Sequence, residues 1–163
     1  MKKLISLSVF LVFFGINQTE LYAQTDVTAE ATVVAPLIVA ADQPLQFGQV
    51  VSGTTKSVID ASNAGRASIS GTNGANVIVT LTTIPTTLDD AGGNSFPINN
   101  IVASSSDNTT TLGSDFASSG QGATQPVTLA SPSYIFFRGD AVPPGGQTPG
   151  DYTATITITV DYQ

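Results

Sequence analysis

The chain has 163 residues, twelve acids against five Lys and Arg, a net charge of −7, and neither His nor Cys. Without these two residue types there is no imidazole acid–base chemistry, no thiol chemistry, no thiolate metal site and no disulfide. The few scattered cations exclude a basic nucleic-acid patch, and with charged residues at only 10% the surface must be dressed by Thr, Ser, Asn, Gln and Gly.

The first 23 residues read as a secretory signal peptide. Lys2 and Lys3 form a basic start, 4–14 is an apolar run, and Leu21-Tyr22-Ala23 ends in a small residue before Gln24. The predicted cut follows Ala23. The apolar run is too short for a bilayer, which needs roughly 20 residues. No later run is long enough either, so no membrane span is expected after cleavage. Lacking Cys, the chain cannot be tethered as a lipoprotein. Residues 24–163 then form one exported domain, with Lys56, Arg66 and Arg138 as its only cations.

Past the signal, helical periodicity is absent and β-branched residues dominate, which favours pleated structure. Val27, Ala29, Ala31, Val33 and Ala35 alternate with Thr28, Glu30, Thr32 and Val34, a weaker two-residue period, until Pro36 breaks the ladder. A strand piece is predicted over 37–40, and Leu45-Gln46-Phe47 resumes after Pro44 and stops at Gly48. Further short strands are predicted over 56–61, 66–71, 76–83, 96–103, 127–130 and 134–138. Turn signals separate them at Asn73-Gly74, Gly92-Gly93-Asn94 and Gly120-Gln121-Gly122. Residues 104–125 read as an exposed loop or irregular hairpin. After the loop 143–150, Tyr152, Ala154, Ile156, Ile158, Val160 and Tyr162 alternate unbroken with polar residues, predicting a core strand over 152–162. Short strands at this spacing predict an all-β sandwich or barrel.

Chemistry is hard to find in this chain. Asp89-Asp90 would point to opposite faces of a strand, which does not make an acid–base pair. Asp89, Asp90 and Asn94 around Gly92-Gly93 offer oxygens to calcium, as Asp107-Asn108 and Asp140 do in isolation, but Asx residues shaping turns is the favoured reading. Serine is plentiful, yet no residue stands out to activate it. The expectation is no enzyme, no cofactor and no metal. Tyr134, Phe136 and Phe137 share one strand, with Phe136 and Phe137 on opposite faces; an exposed ring there would suggest a contact surface.

The C-terminus resembles that of chaperone–usher pilin subunits. Gly150 is fourteenth from the end, the alternating strand follows, and Tyr162 is penultimate. Ala35-Pro36-Leu37, Leu45-Gln46-Phe47-Gly48 and Pro149-Gly150-Asp151-Tyr152-Thr153 extend the likeness over roughly 27–163. These stretches are similar to a bacterial domain of unknown function in fimbria-like surface proteins related to spore coat protein U and archaic pilins. Many pilin subunits carry a disulfide near the first strand, and this chain has none.

The resemblance implies an immunoglobulin-like, pilin-like antiparallel sandwich lacking its last strand. It also implies a periplasmic chaperone and usher as partners, and a bacterial cell-surface or secreted destination. The groove left by the missing strand is filled by the N-terminal strand of the next subunit, giving a homopolymer. Residues 24–35 are the candidate donor, with Val27, Ala29, Ala31 and Val33 as its face, and 36–163 the sandwich. Gly150, Tyr152, Ile156, Ile158, Val160 and Tyr162 make the C-terminal assembly strand. The donor's small side chains bury roughly 3–6 kcal/mol gross at about 0.8 kcal/mol per CH₂. Around eight backbone bonds at about 0.5–1.5 kcal/mol net each could exceed that. Pairing of 24–35 within its own domain remains the alternative, which would give a secreted monomeric adhesin or glycan-binding module.

Overall fold

The computed structural model describes residues 27–130 and 132–163. The signal peptide read at 1–23 and the donor residues 24–26 lie outside the described residues. Chain contacts divide the protein into two units, 1–32 and 33–163, and every strand belongs to the second. Ala35 is held in the second unit, its backbone bonded to Thr72 and Tyr162. Residues 27–32 carry no strand.

The described residues are all-β, with no helix. Ten strands follow in order: β1 (Ile38–Gln43), β2 (Lys56–Val58), β3 (Gly65–Ser70), β4 (Asn76–Thr83), β5 (Thr87–Asp89), β6 (Ser95–Ser106), β7 (Ser114–Asp115), β8 (Thr124–Thr128), β9 (Ser133–Ala141) and β10 (Thr157–Tyr162). All pairings are antiparallel. The larger sheet runs β1-β3-β9-β6-β5, with β2 added to β9 and β7 to β6; the smaller runs β10-β4-β8.

The two sheets share one core. Ile69, Ala103, Ile135 and Phe137 from the larger sheet meet Val77, Val79, Leu81 and Val127 from the smaller. Strict alternation makes this possible: Val77, Val79 and Leu81 of β4 are fully buried, while the residues between them stay partly wet. The larger sheet also buries its other face. Phe136 points away from Phe137 and is covered by Val58 and Ala64, with Leu45, Phe47 and Leu112 packed around them. Leu45-Gln46-Phe47 is therefore a covering loop and not a strand, with the Leu45 side chain and the Phe47 ring packed against a sheet face.

The segment 104–125 is largely exposed and forms an irregular hairpin, the end of β6 pairing with β7 through Ser104↔Asp115 and Ser105↔Ser114, and it also delivers the buried ring of Phe116 to the core. Residues 27–35, the described part of the possible donor segment, lie outside any strand. One expectation is corrected. The C-terminal ladder begins at Thr157, not at Tyr152. Thr153 exchanges both backbone hydrogen bonds with Asp89 of β5 at 2.9 Å, whereas Thr157 onward pairs with β4. The chain crosses here from one sheet to the other while staying extended. Crossing breaks the ladder and leaves the two-residue period intact.

Candidate functional site

β1 pairs only with β3, and β10 only with β4, so each presents an edge without a strand partner among the described residues. The remaining edges are handled differently. β2, β5 and β7 are two or three residues long, and β8 carries Pro126, which has no N–H to offer. Short strands and proline are ways of blunting an edge against association. β1 and β10 are each six residues long and carry no proline.

A groove of about 1190 Å³ is lined by these two edges. Val39 and Ala41 come from β1, and Ile156 and Ile158 from the run entering β10. Ala67 of β3 and Phe137 of β9 form part of its lining, and Leu45, Phe47, Leu88, Phe96 and Tyr152 extend it. Pockets for small molecules occupy about 300–1,000 Å³, so this groove is large for one and of a size to hold an extended segment. Its apolar residues are incompletely covered. Val39 is 42% exposed, and Ile156 and Ile158 are half-buried although they pack on the core, as are Val160 and Tyr162 further along β10, beyond the groove.

The loops beside Tyr152 are stitched together. Ser52 Oγ donates to the Pro144 carbonyl at 2.9 Å and accepts from Gln147 N, and the Gly53 amide also reaches the Pro143 carbonyl. The Tyr152 hydroxyl donates to the Thr148 carbonyl and accepts from Gln147 Nε2, both at 2.7 Å. Its ring lies 4.8 Å from that of Phe96. A second knot involves Tyr162. Its hydroxyl donates to the Ala35 carbonyl at 2.6 Å and accepts from the Thr72 amide at 2.9 Å, while the Ala35 amide donates to Thr72 Oγ1 at 2.7 Å.

The residues singled out from sequence fall into two sets. Ile156 and Ile158 line the groove; Val160 and Tyr162 continue β10 along the core. Gly150 and Tyr152 lie ahead of β10, outside any strand, and line the groove as well. Val27, Ala29, Ala31 and Val33 are exposed, Val27 by 88% and Val33 by 94%. Sequence reasoning missed β1 as the second edge, because its exposed side chains, Ile38 and Val39 among them, show no inside–outside alternation.

The acidic turns are occupied by their own neighbours. Asp90 accepts from Asn94 N at 2.7 Å and from Asn94 Nδ2 at 2.8 Å. Those bonds hold its carboxyl below the ordinary value, the Asn94 side chain contributing most. Asp89 spends its backbone on Thr153. Among the described residues no three acids gather to hold a metal. Phe136 and Phe137 are both buried, and Tyr134 is half-buried with the Arg66 guanidinium 5.8 Å from its ring centre. These rings build no open aromatic face. No helix of the described residues is long and apolar enough to cross a membrane. No protein-family model matches the chain, and no curated protein matches it either.

Proposed function

We propose that this protein is a structural subunit of a bacterial cell-surface filament or fimbria-like layer, assembled by β-strand donation between copies. The reading adopts the immunoglobulin-like, pilin-like form of the sandwich and the periplasmic chaperone and usher that the C-terminal resemblance implies. One observation carries it: the apolar groove lined by two full-length edges, β1 and β10, in a molecule whose other edges are short or hold proline. Residues 27–35 support it from the other side, being outside any strand with alternate small apolar side chains. A strand entering the groove would gain main-chain bonds, with alternate side chains directed at the apolar floor.

The test uses the exported protein and a variant carrying Ala29→Asp and Ala31→Asp. Both positions are exposed and outside the strands, so the variant is expected to fold with an unchanged circular dichroism spectrum. Size-exclusion chromatography should show polymers for the parent and monomers for the variant. A parent that stays monomeric and takes up no labelled peptide of residues 24–35 would refute the proposal.

A further inference from the structure

The groove has two suitors of identical sequence: the donor segment of another copy and that of the same chain. The same-chain route has a definite geometry. To reach the open edge of β1, the segment before Ile38 must reverse over about 35–37, since hairpin turns take roughly two to five residues. Val34 would then face Ile38, and Val33 would face Val39.

The structure holds this stretch in the opposite sense. β1 pairs with β3 through Ile38↔Ser70. Continued by two residues, that register sets Pro36 opposite Thr72, and the Ala35 amide does bond Thr72 Oγ1. Leu37 is half-buried against the core beside Gly71. The Ala35 carbonyl is taken by the Tyr162 hydroxyl, itself fixed by the Thr72 amide. Gly71 permits this closeness, because a Cβ there would lie 2.6 Å from the Tyr162 hydroxyl and 2.9 Å from Leu37 Cδ2. Residues 35–37 thus continue the line of β1, with both polar backbone groups of Ala35 committed.

We infer that the clasp of Tyr162, Ala35 and Thr72 is a device against self-closure, keeping the segment before β1 from folding back into its own groove. The clasp rests on the proposed strand donation and adds to it a reason why donation goes to a second copy. Pro36 reinforces it by fixing one backbone angle in the stretch that would have to turn.

The chain has no Cys, so an engineered pair reports the reversal without background. Val33→Cys and Val39→Cys are introduced together into the exported protein, with and without Tyr162→Phe, which removes only the hydroxyl. Thr72→Val is a second way to open the clasp should Tyr162→Phe fold poorly. After mild oxidation, monomers with an internal disulfide are counted by non-reducing electrophoresis and peptide mapping. Opening the clasp should raise that fraction at least fivefold and lower uptake of labelled 24–35 peptide to match. An equal internal-disulfide fraction with and without the hydroxyl, while the peptide still binds, overturns the clasp and leaves strand donation standing. No peptide uptake and no polymer from the protein with its clasp intact overturns both.

Discussion

A Cβ built on Gly113 would run into the Ser105 carbonyl oxygen, and the residue sits at φ +70°, where side chains are strained. The obstacle is backbone on β6, so it cannot swing aside. Gly113→Ala should cost about 2–4 kcal/mol, combining backbone strain and overpacking, and shift the urea midpoint down accordingly. Gly150 is the opposite case. Its φ lies outside the left-handed region, and a Cβ would meet Asp90 Oδ2 at 3.5 Å and Tyr152 Cε2 at 3.7 Å, ordinary contacts. Gly150→Ala should therefore leave the unfolding free energy, read by urea titration, within about 0.5 kcal/mol of the parent. The glycine that stands out in the C-terminal pattern is not demanded by this chain's own backbone, and the one in the Ser- and Thr-rich middle is. Asp140 gives the residue scale its pH dependence. Hydrogen bonds from Ser57 and then Asn100 lower its pKa, the second at 2.6 Å from Asn100, which is held at φ 52° in the β6 bulge. A carboxyl whose folded pKa is depressed adds stability above its unfolded value, lost as pH falls through the folded one. Asp140→Asn should thus lower stability at neutral pH and flatten its fall below about pH 4, read by urea unfolding at stepped pH.

At the scale of elements, much was legible because burial enforced a period. Asn76–Thr83 was read to the residue, since Val77, Val79 and Leu81 must all face one core. Strand boundaries failed where a different force acted. Tyr152–Ile156 keeps the alternation but trades its partner from β5 to β4, and a pattern of side chains cannot say which sheet supplies the hydrogen bonds. Phe116 was hidden in a polar stretch that nothing local marks as core. The groove was legible in part in the same way. β10 announced itself, whereas β1 was read only as a short piece over 37–40 and not as an edge, because its exposed side chains carry no buried face to pattern it. An open edge also makes the element's stability depend on its occupant. The half-buried side chains of β10 would complete their burial under an inserted strand. Any ligand of the folded state adds about 2.7 kcal/mol at 100 times its Kd. Peptide 24–35 supplied at that excess to the Ala29→Asp, Ala31→Asp monomer should raise its thermal midpoint by several degrees, and a peptide with the same two substitutions should leave it unmoved.

For the whole molecule, charge bears on how copies would meet under the proposed assembly. Arg66 faces Asp42 at 3.6 Å and Arg138 is paired with Asp115, so two of the three cations among the described residues are spent within the fold. Apart from the exposed Lys56, the remaining surface charge is acidic, on a chain of net charge −7 and isoelectric point near 4.1. Copies of one acidic protein repel at a distance, and under the proposed strand donation the attraction between them would act only once apolar groove and backbone are in contact. Salt then separates two kinds of assembly. Raising ionic strength from 0.01 to 0.15 M shortens the screening length from about 30 Å to about 8 Å. The repulsive approach weakens, while hydrogen bonds and apolar contacts inside the groove are nearly untouched. Polymerisation followed by light scattering should accelerate across that range, and accelerate again as pH approaches the isoelectric point. Assembly driven by complementary charged patches would slow instead, because screening would remove its steering force. An acceleration thus assigns the joint to buried strand contacts, and a slowing assigns it to the rim.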